Sequence, residues 1–472
     1  MPFLRLTYYF HRKIYVYTLG YEGMTGNLRP EESFVKIATI LLTNFRCFAH
    51  FAVHLDPRLT VIIARNGAGK SALLDAIALA LGPFLTRLPG VKGLSFKKTD
   101  FRIDAHNSQP AYMRIRCESL ENVVWDRTER RDQSIKTQAA IPPGVGLKAL
   151  NDYVDQYIDA HNEGEEYSLP VFIYYGTGRA VFDTPSRKRA LNRHFSRFEA
   201  LDGALESRTN FTRFLQYFYQ LEEKENRLQK ERRSFEVELP QLAAIRLAVK
   251  RLLPQFSNIR SADIAGLMLD WKKNPSDDAP AQTLRIEQLS DGYRTTLVMV
   301  MDIAARIAEA NPFSKNPLST QGVILIDEID LHIHPEWQRE FLPRLIRVFP
   351  GIQFIVSTHS PFIIQSVKRG LLINLDKENA ADSPSLDQEL SIEDIAQNVM
   401  GMNNVQRSAL FNKQVEISDK YYKLLKAGRT AKDADVSALS AELDRIEESF
   451  GNNPAWVALL RAERRKNIAK GG

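Results

Sequence analysis

An α/β fold with a parallel sheet at its centre is predicted for this chain by three segments. VIIARNGAGKSALLDAIALALG (residues 61–82) runs from a short apolar strand through a glycine loop into an apolar helix. QGVILIDEID (residues 321–330) is a continuous apolar run ending in acids, as expected of a parallel strand covered on both faces. IQFIVSTHSP (residues 352–361) reads as a further strand with polar groups at its end.

The glycine loop has the chemistry of a phosphate cradle. Asn66, Gly67, Ala68 and Gly69 form the turn, and the two glycines let backbone N–H groups approach a polyphosphate closely. Lys70 supplies positive charge for the outer phosphates, and the Ser71 hydroxyl is placed to ligate Mg²⁺. The helix opens at the anion, so its dipole and unpaired N–H groups also face negative charge. Ala64 stands where the usual pattern has its first glycine. A small residue with negative φ fills that place.

The acids after the second strand divide the remaining work. Asp327 is expected to hold the Mg²⁺ shell, and Glu328 to polarise an attacking water. His359, at the end of the third strand, is placed to contact the γ-phosphate or the water as a neutral imidazole. Between loop and acids, LRIEQLSDGYRTTLVMVMDIAARIAEA (residues 284–310) places Ser290 and Gly292 before a long apolar helix. Ser290 suits an N-cap, with Asp291 in the helix-start region.

Phosphate loop, Ser-x-Gly helix, Asp-Glu strand and His strand follow in an order that resembles the ABC ATPases. Their LSGGQ signature appears here as Leu289-Ser290-Asp291-Gly292-Tyr293. Within that superfamily LTNFRCFAHFAVHLDPRLTVIIARNGAGKS, DEIDLHIHPEWQ and STHSPF resemble the chromosome-maintenance (SMC), Rad50, RecF and OLD-type branch. The resemblance implies an SMC-like head, ATP and Mg²⁺ as ligands, and Arg46 as a basic residue near the nucleotide. It also implies a homodimer or higher homo-oligomer in which Ser290 and Gly292 of one subunit face the ATP of another. LPVFIYYGTGRA and the basic PSRKRALNRHFSRFEALDGALESRTNF look like Septu-type antiphage ATPases and their retron-linked relatives. In such systems the ATPase works with a separate HNH nuclease. The first of these segments falls at the ABC Q-loop but holds no Gln, so that role is not transferred.

The motif spacing divides the chain. Residues 1–33 form an aromatic, basic N-terminal extension of unassigned role, with Met24 as an alternative start. Residues 34–200 form the first part of the ATPase head, 201–280 a mainly helical insertion, 281–375 the second part of the head, and 376–472 a helical C-terminal region. The insertion is too short for a long coiled-coil arm. Its helix over 205–233 carries acids and bases three or four apart on an exposed face.

Composition narrows the class. The chain has 472 residues and 44% hydrophobic content, long for one compact core. Two cysteines, Cys47 and Cys117, make neither a disulfide framework nor a zinc site, which points to a reducing cytoplasm. No apolar run reaches the ~18 residues that span a bilayer. Net charge is +6. Arg187, Lys188, Arg189, Arg193 and Arg197 cluster, as do Arg461, Arg464, Arg465, Lys466 and Lys470. These clusters suit DNA phosphates or a solvated helix face equally. His332 and His334 lack further metal ligands nearby, and neither a Toprim nuclease set nor a hydrolytic triad stands out.

The expected function is therefore an ATP-hydrolysing subunit that controls a partner nuclease in antiphage defence. A RecF- or Rad50-like repair ATPase is the second reading. A transporter motor fits less well, because the segment between phosphate loop and Ser-x-Gly helix is too long.

Overall fold

The computed structural model describes residues 36–104, 106–180, 195–207, 211–261, 266–274, 280–377, 391–400, 409–427, 429 and 433–448. The N-terminal extension, the basic residues Arg187 to Arg193 and the basic residues from Arg461 onward lie outside them. Among the described residues, no helix is long and apolar enough to cross a membrane.

Two sheets enclose the first helix. β1 (Ile37–Phe45), β2 (Phe48–His54), β4 (Tyr112–Ser119) and β5 (Val124–Arg130) form an antiparallel sheet in the order β2-β1-β4-β5. β3 (Leu59–Ile63), β6 (Val171–Tyr175), β10 (Gly322–Ile326), β11 (Ile352–Ser357) and β12 (Leu371–Asn374) form the second sheet. Its order is β12-β3-β11-β10-β6, with every pairing parallel. Every residue of β3, β6, β10 and β11 is buried, which explains their unbroken apolar runs. Gln353 stitches the sheets together: its amide bonds the Ile37 N–H and carbonyl from inside β11.

Helix α1 (Lys70–Arg87) packs on strands of both sheets and is buried over most of its surface, as an almost wholly apolar helix must be. Pro83 interrupts its ladder by removing the N–H that would bond the Leu79 carbonyl. Arg127 of β5 repairs the gap by donating to that carbonyl at 2.6 Å, while Trp125 donates to Ala80 at 2.8 Å. Two helices follow at the edge of this region, α2 (Ile135–Ala139) and α3 (Lys148–Glu163), the latter against α1.

Residues 201–280 hold α4 (Phe211–Arg232) and α5 (Pro240–Leu252), and also two strands that the helical reading did not anticipate. β7 (Phe256–Ser261) and β8 (Leu267–Trp271) join β9 (Gln282–Arg285) in a small antiparallel sheet. The strands are short and their alternation is weak, so periodicity alone does not reveal them. In α4, Phe211, Phe214, Leu215, Phe218 and Leu221 are buried; of the charged C-terminal half, Glu222 and Glu225 are buried too and most of the rest is exposed.

Helix α6 (Asp291–Ala310) leads from the Ser-x-Gly segment into the core. Its buried charges are paired: Arg306 Nε bonds Asp302 at 3.0 Å, and Asp302 accepts the Tyr175 hydroxyl at 2.7 Å. Arg306 also donates to the Ala200 carbonyl. Glu309 meets Arg213 of α4 in a two-pronged pair. After α7 (Pro335–Val348) and α8 (Pro361–Ser366), a single turn α9 (Ile392–Asp394) precedes the helices α10 (Ala409–Lys426) and α11 (Ala434–Glu448). These two share their own small core of Ile417, Tyr421, Val436, Leu443 and Ile446. Gly451, which by residue type suits a helix stop, lies outside the described residues.

Removing Arg306 leaves Asp302 buried with an uncompensated charge. Arg306→Leu is expected to lower unfolding stability by about 3–5 kcal/mol in urea titrations. Adding Asp302→Asn should recover part of the loss.

Candidate nucleotide site

The phosphate loop bends where the sequence permits it. Gly67 has φ +83° and Gly69 φ +106°, a region that strains other residues. Gly69 has a second reason to be glycine. A Cβ there would meet Cys47 Sγ at 2.7 Å and Phe48 Cζ at 2.8 Å, so the β1–β2 turn lies on the loop. Asn66 and Ala68 occupy the turn, with the Ala68 N–H directed to the Arg65 carbonyl. No side chain caps α1, which leaves its first N–H groups available to an anion.

Lys70 is buried, and its ammonium donates to the Ala64 carbonyl at 3.0 Å. Burial lowers its pKa, opposed by the negative charges of Asp327, Glu328, Asp376 and Asp330. Ser71 reaches Asp327 across the sheet: its hydroxyl donates to Asp327 Oδ2 at 2.6 Å. β11 lies between β3, which leads into the phosphate loop, and β10, which leads to Asp327, and Ser357 at its end fills the gap. Ser357 Oγ donates to Asp327 Oδ1 at 2.5 Å and accepts the Glu328 N–H at 2.7 Å. Asp327 is only 3% exposed.

Two adjacent oxygens, one from the start of α1 and one a carboxylate after β10, suit a hard divalent cation. Among the described residues, no group of three or more His, Cys, Asp or Glu side chains could hold a metal by itself. Mg²⁺ needs no such cage, because it binds through one or two protein oxygens together with substrate phosphates. Ser71 and Asp327 fit that pattern.

Glu328 sits in the left-handed region, at φ +47°. A buried guanidinium fixes this turn. Arg179 donates to the carbonyls of Asp327 and Glu328, each at 2.6 Å, and to Gly176 at 3.1 Å. The Asp327 N–H continues the sheet by donating to Tyr175. His359 lies in the same corner. Its backbone N–H donates to Asp330 Oδ1 at 3.3 Å, and its Nε2 is buried without a hydrogen-bond partner.

Arg46, at φ +46° in the β1–β2 turn, pairs with Asp75 of α1 and with Asp100. Tyr174 belongs to this cluster; burial, then the Asp75 and Asp327 charges, raise its phenol well above the usual range. Ser290 takes the N-cap conformation of α6 but makes no side-chain cap bond, and it is exposed. A Cβ on Gly292 would lie 2.1 Å from the His332 carbonyl, so glycine lets α6 start hard against the turn after the acids. No hydrogen bond or ion pair among the described residues joins Ser290 or Gly292 to the phosphate loop of the same chain. Arg197 is engaged within the fold, stacked 3.7 Å from the Tyr167 ring centroid and donating to the Ala310 carbonyl.

Residue-by-residue reading missed Ser357, Asp75 and the role of Arg179. A buried arginine just after an apolar strand was the available signal for Arg179; that its strand neighbours β10 was not visible. Arg179→Met should reduce nucleotide turnover by roughly ten-fold or more while changing nucleotide affinity less, because it acts through the Asp327–Glu328 backbone. Separate measurement of kcat and KM checks this.

Comparison with known proteins adds to this geometry. Residues 39–242 match the family model described as "AAA domain", and residues 168–365 match "AAA domain, putative AbiEii toxin, Type IV TA system". The chain is 28% identical to the Retron Ec83 probable ATPase of Escherichia coli over 392 residues, covering 71% of this chain and 70% of the relative. It is 33% identical to the Septu protein PtuA of Bacillus mycoides over 147 residues, 30% of this chain and 20% of that protein. A 47-residue stretch is 51% identical to the DNA double-strand break repair Rad50 ATPase of Halobacterium salinarum, 10% of this chain and 5% of that protein. The chain carries AAA-type P-loop ATPase domains, and its sequence is similar to retron ATPases and, over a shorter span, to Rad50.

Proposed function

We propose that this ATPase is the nucleotide-driven subunit of a bacterial antiphage defence complex and controls a separate HNH nuclease. The observation that carries the reading is the extent of the retron-ATPase similarity, which runs well beyond the nucleotide motifs. The Rad50 similarity covers less of the chain, 10% in one relative and 33% in another. That contrast favours defence over a repair or recombination role. Free Cys47 and Cys117 suit a reducing cytoplasm.

In this reading the phosphate-loop amides and Lys70 hold the ATP phosphates, and Arg46 approaches the nucleotide once released from its carboxylates. Ser71 and Asp327 would hold Mg²⁺, which would supply positive charge against the phosphates. Glu328 accepts a proton from the attacking water, and His359 orients water or γ-phosphate. The exposed Ser290 and the adjoining Gly292 complete a second subunit's site in a head-to-tail dimer. ATP then favours one of two assemblies with unequal affinity for the nuclease.

Three substitutions separate these roles. Lys70→Ala should weaken ATP binding by roughly ten-fold or more in calorimetry. Glu328→Gln should leave ATP bound and slow hydrolysis about 10²- to 10⁴-fold; hydrolysis at the parental rate would remove Glu328 as the base. Ser290→Arg should abolish ATP-dependent dimerisation in light scattering while sparing ATP binding to the single subunit. For the complex, ATPase and nuclease are mixed with DNA under ATP, a slowly hydrolysed analogue or ADP. Co-purification with nucleotide-dependent cleavage is the expected result. Cleavage indifferent to nucleotide and to Lys70→Ala would put the repair reading first.

A further inference from the structure

Beside the signature helix lies a cavity of about 440 Å³ that plays no part in the chemistry above. That volume falls within the range of small-ligand sites. Its walls are aromatic: Trp271 from β8, Tyr293 from the start of α6, and Trp337 and Phe341 from α7. Tyr293 is held edge-on, its ring centroid 4.4 Å from that of Trp337 and 5.4 Å from that of Phe256. Tyr293 also occupies the last position of the signature, where the family pattern has Gln.

Polar groups converge on the same space. The Gln255 amide nitrogen is buried with no hydrogen bond of good geometry, and it lies beside the Tyr293 phenol, whose pKa burial raises against the opposing effect of Gln255. A buried donor so placed is available to an acceptor, from water or from a bound ligand. Lys273 and Arg344 bring positive charge to the lining, and Glu340 is the one acid there, already paired with Arg344. The lining thus offers flat π surfaces, an unused N–H donor and net positive charge.

We propose that this cavity is a second nucleotide-binding site, distinct from the phosphate loop, which takes one base of a nucleotide unit and its phosphate. The base stacks on the Trp337–Trp271 wall, a carbonyl of the base accepts from Gln255, and the phosphate faces Lys273. Base stacking on aromatic side chains tolerates any base, and neighbouring cations hold the backbone. The source of the unit is either a free mononucleotide or a single-stranded nucleic acid. Its position gives it leverage: Tyr293 adjoins Gly292, and Trp337 lies three residues beyond His334 in the segment that follows the acids. Occupancy would bear on both elements that frame the ATP site.

The test uses the full chain without ATP or nuclease, so its outcome is independent of the defence reading. Fluorescein-labelled oligothymidylate is titrated by anisotropy, and unlabelled oligothymidylate and dTMP by tryptophan quenching; Trp271 and Trp337 are two of the four tryptophans. Both quenching titrations are repeated in Lys70→Ala, to exclude the phosphate loop. Binding that persists in Lys70→Ala is expected. It should weaken about ten-fold in Trp337→Leu, the loss of one stack, and several-fold in Lys273→Glu. Lys273→Glu is an exposed substitution expected to keep the parental melting temperature and ATP affinity. Quenching by dTMP as well as the oligomer identifies a free nucleotide, and by the oligomer alone a strand; both support the site. No quenching by either probe, or affinities unchanged in both variants, overturns it. Quenching by a proline-rich peptide but by neither nucleotide probe reassigns the pocket to a protein partner and also overturns it.

Discussion

One buried carboxylate organises the nucleotide corner of this molecule. Asp327 accepts the Ser71 hydroxyl on one oxygen and the Ser357 hydroxyl on the other. Those three side chains come from the start of α1, the end of β10 and the end of β11. A charge with 3% exposure is tolerable only because such donors face it, with Lys70 adding a favourable field. The same constraint keeps the phosphate loop and the acidic turn in register. Moving either strand by one residue would reverse the side chains and leave Asp327 unmatched.

Around that carboxylate, backbone geometry is held from outside the loop. Arg179 grips the carbonyls of Asp327 and Glu328, and Glu328 keeps a left-handed conformation uncommon for a non-glycine residue. A strained turn of this kind persists where its surroundings over-determine it. The strand that brings in Arg179 also brings Tyr175, whose carbonyl accepts the Asp327 N–H and whose hydroxyl bonds Asp302 on α6. Signature helix and acidic strand are therefore joined by hydrogen bonds through β6. At its other end α6 starts against the His332 carbonyl, an approach that only Gly292 allows. A change in the position of α6 has direct physical routes to the acids.

The edges of the molecule show where local reading loses force. The helix in α4 was legible because its apolar residues recur at helical spacing. β7 and β8 were not, since five or six residues with partial burial leave little periodic signal. Arg46 was expected near the nucleotide; the turn that carries it lies on the phosphate loop. Its pairing with Asp75 and Asp100 came from three separate elements that no spacing rule connects. Arg197, grouped by composition with a basic cluster, instead stacks on Tyr167 inside the fold.

The phosphate loop, its glycines, the following helix and the acids after an apolar strand were determined by the sequence itself. Each depends on contiguous residues: left-handed φ values at Gly67 and Gly69, a helix start at Lys70, and unbroken burial along β10. Only the tertiary structure decided what surrounds them. Arg179 and Asp327 are 148 residues apart in the chain and meet because β6 pairs with β10. Ser357 became the bridge because β11 lies between β3, which leads to Ser71, and β10, which leads to Asp327. Strand order is set by the packing of distant apolar faces, and the sequence around any one of these residues carries no record of it.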